Sequence, residues 1–309
     1  MTSALTAVYA NFRAFIQGTQ KAIFGYGVNV YLGVDYSITN KVSNTGVVAT
    51  DTAGVGTARG RVAAAGYGAD KAIFGFGWNE LDFYNYAMTN LVSNTGVVAS
   101  DTAGVGTARQ DPAAAGYGTD KAIFGYGNDG AYVSITNKVS NTGVVASNTT
   151  GVGTPRAPAA AGYDTDKAIF GYGYTNALVY VSLTNLVSNT GVVATDTAGV
   201  GTARYQLAAA GFGGDRAIFG YGYNGAGVSK TNLVSNTGVV ATDTAGVGTA
   251  RNALAAAGYG ADKAIFGYGF TGAVVSITNL VSDTGVVSTD VTGVGTVRAG
   301  LGAAGYSLT

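Results

Sequence analysis

The stretch LAAAGYGADKAIFGYG, from Leu254 to Gly269, decides the fold because the chain repeats it with few changes. Its second half begins with Lys-Ala-Ile-Phe-Gly, once with Arg in first place. The phrase starts at six positions, 46 to 50 residues apart: Lys21, Lys71, Lys121, Lys167, Arg216 and Lys263. Repetition at such a period is typical of architectures whose units bury their apolar surface against neighbouring units. The shared residues therefore carry the fold, and the differences between copies carry the clues to function.

Outward from this stretch, each copy continues with a variable segment, then approximately VSITNLVSNTGVVATDTAGVGTAR, and then the next LAAAGYG. Four segments rich in Val, Ile, Tyr, Phe, Thr or Ala are separated by Gly, Asn and Asp, a pattern typical of short strands. The fifty glycines argue against long helices. We therefore predict four strands in each unit: LAAAGY, KAIFGYG, VSITNLV and GVVATDT. A four-stranded antiparallel meander of this length is the size of one propeller blade.

The two ends of the chain predict how the repeats close. A further copy of the first strand, Gly300–Tyr306, follows the sixth repeat and is expected to complete the sheet that begins at Lys21. The predicted fold is all-β, a six-bladed β-propeller of four-stranded antiparallel blades closed by the C-terminal strand, with residues 21–309 as one domain. Its first strands, built from Ala and Gly, would line the central channel. Residues 1–20 are an N-terminal tail or a degenerate first strand, and a β-solenoid is the main alternative fold.

Composition narrows the functional classes. Seventeen Lys and Arg balance seventeen Asp and Glu, and only 11% of residues are charged, so no basic field for nucleic acid is expected. The chain has no Cys and no His, which removes thiolate and imidazole ligands and the common nucleophile systems. We expect no metal, no cofactor and no catalytic residues. The apolar runs are short and no signal-peptide pattern is seen, so neither Sec-dependent secretion nor membrane insertion is expected.

The order of these phrases resembles the kelch repeat of six-bladed propellers. In kelch repeats an Ile or Val strand ending in Gly-Gly is followed by a Tyr, a Trp and a turn that often carries an Arg. In this chain Gly-Tyr-Gly replaces the Gly-Gly pair, and valines such as Val47 and Val48 stand near the place of the Trp. The resemblance covers Lys21 to Thr309. Six arginines stand where the kelch Arg would be: Arg59, Arg109, Arg156, Arg204, Arg251 and Arg298.

The near-verbatim phrases KAIFGYG and TNLVSNTGVVATDTAGVGTAR also look like those of repeat proteins associated with marine bacteriophages. This resemblance implies a virion component. It further implies that the partner is another virion protein or a glycan or protein on a host surface.

Variation between the copies concentrates on one side of the predicted disc. In an up-and-down blade, the turns joining strands 1 to 2 and 3 to 4 share one face, and the other two connections share the opposite face. The first pair is nearly constant, with Ser-Asn-Thr-Gly in five copies and Ser-Asp-Thr-Gly at Ser282. The connections after strand 2 differ in every copy. Recognition residues favour loops on a rigid scaffold, so this variable side is the expected binding surface, with drift in unconstrained loops as the alternative.

The longest variable segments, in the first two copies, carry most of the candidate ligand-binding residues. Aromatic side chains with neighbouring amides and carboxylates suit stacking on sugar rings or anchoring of a protein partner. The alternative is that the aromatics cover a blade edge. The candidates are Tyr31, Tyr36, Trp78, Asn79, Glu80, Asp82, Phe83, Tyr84 and Tyr86.

The six arginines named above are predicted to form a ring near the channel mouth on the variable side. A structural role is expected, in which each Arg bonds loop carbonyls or a carboxylate. The alternative is that the ring holds an anion.

Taken together, these sequence features favour a non-enzymatic binding or structural propeller. A pure assembly protein and a carboxylate-dependent glycan hydrolase, using Glu80 as the sole glutamate, stay open as alternatives.

Overall fold

A computed structural model describes residues 19–309. Within this part of the chain there are twenty strands and no helix, so none of it forms a helix able to cross a membrane. The first repeat contains β1 (Lys21–Gly25), β2 (Val28–Asn29), β3 (Val34–Asp35) and β4 (Thr39–Val42). Strands β2 and β3 form a small hairpin of their own beyond the end of β1.

The next five repeats each supply a three-stranded antiparallel sheet with the KAIFG strand in the centre. Their strands are β5 (Ala63–Tyr67), β6 (Lys71–Asn79) and β7 (Tyr84–Val92); β8 (Ala113–Tyr117), β9 (Lys121–Gly125) and β10 (Thr136–Val139); β11 (Ala159–Tyr163), β12 (Lys167–Tyr174) and β13 (Tyr180–Val187); β14 (Ala208–Phe212), β15 (Arg216–Gly220) and β16 (Thr231–Val234); β17 (Ala255–Tyr259), β18 (Lys263–Phe270) and β19 (Val274–Val281).

The sixth three-stranded sheet joins the two ends of the chain. Its order is β20 (Gly302–Tyr306), β1 and β4, and β20 pairs with β1 over five residues. The N–H of Gln20 donates to the carbonyl of Ser307 at 2.8 Å, beside the start of β1. Of the predicted tail or degenerate strand, only Thr19 and Gln20 are described, and neither is in a strand. The rest of that prediction lies outside the described residues.

The core lies between neighbouring sheets. In β6, Ala72, Ile73 and Phe74 have no exposed surface, so both faces of the sheet are covered. Phe74 packs against Tyr26 of the first repeat, with ring centroids 5.1 Å apart, whereas Ile73 packs in a cluster with Phe124 of the third. Burying one such side chain stabilises the fold by about 1.5–3 kcal/mol. The KAIFG phrase recurs because every copy must fill both spaces.

The first strands of the sheets lie side by side. Strand β5 contacts β8, and the same holds for β8 with β11, β11 with β14, β14 with β17, β17 with β20 and β20 with β5. The strands approach so closely that a Cβ atom on Gly116 would lie 3.3 Å from the carbonyl oxygen of Gly66. Glycine therefore allows this contact. These glycines line a cavity of about 590 Å³ that runs between the first strands.

The fourth predicted strand is not a regular strand. Each sheet has three, and the GVVATDT segment adds only isolated bridges, such as Val42 with Val48 and Thr39 with Thr52. Between these bridges the outer segment has one residue more than β4, which breaks the ladder as a bulge does. The side chain of Asn40 fills the gap, donating to the carbonyl of Ala49 at 3.0 Å. The prediction of four-stranded blades is thus corrected to three strands and a bulged outer segment.

Candidate functional site

The two sides of the sheets carry different connections. We call the side with the near-constant turns the constant face; there, the Asn94 amide donates to Asp70 at 3.1 Å and joins the two kinds of turn. We call the opposite side the variable face. It consists of hairpin loops 28–37, 78–87, 128–134, 174–182, 223–229 and 270–276, together with connections 60–62, 110–112, 157–158, 205–207, 252–254 and 299–301.

The same backbone distortion precedes each hairpin of the variable face: a Tyr or Phe with a φ of 62–63° is followed by a glycine with a φ of 103–122°. In the second repeat the β6–β7 register shifts between Gly75 and Gly77, and Phe76 adopts a φ of 62°. Gly77 has a φ of 116°, and a Cβ atom there would lie 2.7 Å from the Gly60 carbonyl oxygen. Glycine is therefore required at this position. The bulge lets β6 continue to Asn79, where Trp78 bridges to Gly60 of the neighbouring connection.

The aromatic candidates of the second hairpin lie on both of its sides. Trp78 pairs with Asn85 across the hairpin, and its ring centroid lies 6.0 Å from that of Phe83. Tyr84 and Tyr86 contact each other at 5.1 Å. They flank Asn85 in the strand, so their side chains point to the opposite side of the pleat from Trp78. The four rings therefore form two separate pairs.

Tyr31 and Tyr36 connect the first hairpin to its neighbours. The Tyr31 ring lies 5.9 Å from Phe270 of the sixth repeat, and its hydroxyl donates to the carbonyl of Gly272. The Tyr36 carbonyl accepts a hydrogen bond from the Arg59 N–H at 3.4 Å. Tyr31 therefore joins two repeats, whereas Tyr36 joins its hairpin to the segment at the end of its own repeat.

The polar candidates have different roles. Oδ1 of Asn79 accepts hydrogen bonds from the N–H groups of Leu81 and Asp82, at 2.9 and 2.7 Å, and so shapes the hairpin turn. Glu80 forms an ion pair with Arg61, at 3.3 Å. Asp82 itself is exposed. Asn79 therefore has a structural role in the turn, whereas the carboxylates of Glu80 and Asp82 lie at the surface.

Large apolar side chains are exposed at the tips of the first two hairpins. Phe83 is 74% exposed, Tyr31 63% and Tyr84 58%, and Leu32 and Leu81 are exposed beside them. The two tips are adjacent, since a Cβ atom on Gly33 would lie 3.8 Å from Leu81. Together these five side chains form what we call the apolar tip patch. The order of loops places it above the first and second repeats only.

No protein-family model matches the chain, and a search of curated proteins found no match. The functional interpretation therefore rests on the geometry of the site.

The six repeat arginines lie inside the structure. The Arg59 guanidinium donates from Nε to the Phe76 carbonyl at 2.7 Å, from Nη1 to the Thr57 carbonyl at 2.9 Å and from Nη2 to Asn90 at 2.8 Å. The same three bonds recur in every copy, and all six residues are fully buried. Burial lowers the pKa of Arg109 to about 10. The ring is an internal layer between sheets, and it presents no exposed guanidinium to an anion at a channel mouth.

The same layer contains a carboxylate latch between repeats. Asp101 of the second repeat accepts hydrogen bonds from the N–H and hydroxyl of Thr57, at 3.0 and 2.7 Å, and from Asn90 at 2.8 Å. Burial raises the pKa of Asp101, but these hydrogen bonds outweigh it and lower the pKa below its usual value. In the third repeat Asn148 takes this place and donates to the Thr107 hydroxyl at 2.7 Å.

A charged cluster that the sequence analysis missed lies where the first three repeats meet. Arg61 stands between Glu80 and Asp111, at 3.3 and 3.5 Å. Asp35 accepts a hydrogen bond from the Glu80 N–H at 2.8 Å. Burial raises the pKa of Asp35 to about 6, and the charge of Glu80 adds to the effect. The available signal in the sequence was Arg61 itself, because no other of the six connections on the variable face carries a cationic residue.

A tyrosine cluster on the other half of the variable face was also missed. Tyr180 stacks on Tyr205 with centroids 5.6 Å apart and planes at 13°. Tyr174 lies within 5.3 Å of both and contacts Tyr132 at 5.9 Å. The cluster draws on three variable segments whose tyrosines do not recur at one repeat position, so sequence periodicity gave no signal for it.

Among residues 19–309 no group of three or more Asp or Glu side chains is arranged to hold a metal ion.

Proposed function

We propose that the chain is a closed six-bladed β-propeller that acts as a non-enzymatic binding module. The six sheets would be its blades. The pairing of β20 with β1 and the contact of β20 with β5 support closure, because they leave no first strand without a neighbour on either side. The variable face is then the recognition surface for a glycan or a protein.

The observation that carries this proposal is the apolar tip patch. The repeats are nearly identical in the core, yet among the described residues the exposed aromatic side chains, Tyr31, Phe83 and Tyr84, all lie in the first two hairpins. Clustered exposed aromatic side chains are typical of recognition surfaces, because they give a large contact area at low entropic cost. A purely structural role does not explain why exposed aromatic side chains are confined to two of the six hairpins.

Polar atoms without hydrogen-bond partners also support binding at the variable face. In the described part of the chain, three buried side-chain oxygens have no hydrogen-bond partner: Oδ1 of Asp35, Oδ1 of Asn85 and Oε1 of Gln110. All three belong to the variable face, near the junctions of the first three repeats. Buried polar atoms are normally satisfied, so a ligand or water is the expected partner.

We further propose that the module is a virion component that engages another virion protein or a host-surface glycan or protein. The phage-like repeat phrases support this setting. Mass spectrometry of purified virus particles from the native source tests it, and recovery of the chain only outside particles would contradict it.

A purely structural role in virion assembly is the second candidate, and one observation favours it. The constant face carries a ring of six valines, one per repeat, each 61–67% exposed: Val47, Val97, Val144, Val192, Val239 and Val286. A sixfold apolar ring suits a flat contact with a symmetric neighbour. On this hypothesis the variable face has no ligand.

Binding to glycan and protein arrays distinguishes the two candidates. We expect the double variant Phe83→Ser, Tyr84→Ser to lose binding by at least about tenfold, which corresponds to about 1.4 kcal/mol. Val97→Ser, a similarly exposed apolar residue on the constant face, is the matched control and is expected to bind like the parent. Equal binding by the double variant would contradict the proposal. Turnover of a bound glycan that Glu80→Gln abolishes would instead establish the hydrolase alternative.

A further inference from the structure

A small cavity opens at the centre of the variable face. It has a volume of about 160 Å³, below the roughly 300 Å³ of ordinary small-molecule sites. Its walls are apolar and include Val28, Val62, Leu207, Leu254 and Leu301. Arg61, Glu80, Asp111, Tyr205 and Gln206 supply its polar groups. Its size suits one inserted side chain.

Backbone hydrogen bonds form an incomplete ring around this cavity. The N–H of Asp111 donates to the Arg61 carbonyl at 3.1 Å, and that of Arg61 to the Gly300 carbonyl at 2.6 Å. The series continues from Gly300 to Ala253 and from Ala253 to Gln206, at 2.8 Å each. The sixth place, between Asp111 and Gln206, has no equivalent residue, because connection 157–158 is one residue shorter than the other five. The ring is therefore interrupted on the side of the third and fourth repeats.

The tyrosine cluster lies at this interruption. Tyr205 lines the cavity and stacks on Tyr180. Burial raises the pKa of Tyr132, to about 12, and that of Tyr205; the charge of Asp111 adds to both shifts. Asp111 and Tyr205 also both line the cavity. An inserted group would meet tyrosine and carboxylate together.

The charge of the variable face is strongly negative. Its loops and connections carry Asp35, Glu80, Asp82, Asp111 and Asp129, and Arg61 is their single cation. Arg61 is shared between two of these carboxylates, and Oδ1 of Asp35 is buried with no partner. The cluster therefore has more acceptors and more negative charge than its one arginine satisfies.

We propose that this cavity receives the side chain of a lysine or arginine presented by a partner protein. The apolar walls would cover the aliphatic stem, while Asp111 and Glu80 would pair with the charged end and Tyr205 would add a cation–π contact. The inference rests on the proposed function, since it uses the same recognition face. It narrows the partner to a protein with an exposed basic segment.

Peptide titration tests the proposal with the whole chain. The probes are blocked Gly-Ser peptides with one central Arg or Lys, and matched peptides with citrulline or norleucine in that place. Binding is followed by calorimetry and by the fluorescence of Trp78, the only tryptophan, which lies two residues from Glu80. We expect the basic peptides to bind at least about tenfold more tightly than the neutral ones, since each tenfold is about 1.4 kcal/mol.

Two variants keep the test specific. Asp111→Asn is expected to weaken binding of the basic peptides about fivefold or more, with its thermal unfolding midpoint recorded to show that it folds. Asp262→Asn removes one carboxylate from the constant face and is expected to leave binding unchanged. Equal binding of Arg and citrulline peptides, no binding of either, or an unaffected Asp111→Asn variant would overturn the inference. If the basic peptides fail but the parent binds a glycan, and the Phe83→Ser, Tyr84→Ser variant loses that glycan binding, only the lysine or arginine inference fails. If the parent binds neither peptides nor glycans, the proposed function fails as well.

Discussion

The guanidinium carbon of Arg59 lies 4.4 Å from the centroid of the Tyr26 ring. Tyr26 belongs to the first repeat, whereas Asn90 and the Phe76 carbonyl, which accept the Arg59 hydrogen bonds, belong to the second. One buried side chain therefore joins two sheets, and five equivalents do the same elsewhere. The repeat arginines are a main source of contact between sheets.

Replacing one of these arginines is expected to destabilise the fold strongly. Arg59→Lys cannot make the forked hydrogen bonds and leaves buried acceptors unpaired, so we expect a loss of about 2 kcal/mol or more in the free energy of unfolding. Urea denaturation measures it. Lys71→Met, which breaks the exposed pair with Asp70, is the control and should cost less than about 1 kcal/mol. Equal effects of the two substitutions would contradict the structural role.

The third repeat supplies a natural control for the carboxylate latch. Asp101→Asn can reproduce the bonds that Asn148 makes to Thr107, so it is expected to cost less than about 1 kcal/mol. Asp101→Ala leaves the Thr57 N–H and Asn90 without an acceptor and should cost about 1–3 kcal/mol. Thermal and urea unfolding of both variants give the comparison. A larger loss for Asn than for Ala would contradict the geometry.

Acid is expected to weaken the latches. The pKa values of Asp51, Asp101, Asp196 and Asp290 are lowered, because hydrogen bonds from Thr and Asn outweigh the opposing effect of burial. Their stabilisation is complete above the ordinary carboxyl pKa, near 4, and is lost as the pH falls through the lowered folded-state values. The unfolding midpoint should drop steeply below about pH 4. A variant with all four changed to Asn should show a shallower drop over that range.

Asp35 is expected to act in the opposite direction. Its pKa of about 6 in the folded state exceeds the unfolded value, so its ionisation costs stability as the pH rises from about 4 through 6. Asp35→Asn removes that cost and should gain stability relative to the parent between pH 4 and pH 7. Paired urea titrations at the two values measure the difference. A gain that does not change with pH would show that the cost is not one of charge.

Much of the scaffold follows from the repeated phrases. The KAIFG strands, the pairing of Gly302–Tyr306 with Lys21–Gly25 and the near-constant turns were predicted, because each copy must bury the same side chains against the next. The outer segment was misjudged as a regular strand. Its extra residue opposite Asn40 cannot be read from propensity, because Val, Ala and Thr suit a strand with or without a bulge.

The candidate site was only partly predictable. The variable side and the aromatic segments of the first two repeats were recognised from disagreement between copies. The contact of Tyr31 with Phe270 and the grouping of Arg61, Glu80 and Asp111 join residues that are far apart in sequence and occur once each. No residue type is shared by the copies at these positions, so only the three-dimensional arrangement shows the contacts.

The most direct test of the recognition face is a loop exchange. Residues 78–88 of the second repeat are replaced by residues 223–230, the shorter equivalent from the fifth, which ends before the same Thr-Asn pair. Parent and exchange proteins are compared on the same glycan and peptide arrays and by thermal unfolding. We predict that the parent binds a ligand, that the exchange protein loses this binding, and that its unfolding midpoint stays within a few degrees. Equal binding by the two proteins, or a parent that binds nothing on either array, would contradict a recognition function for the variable face.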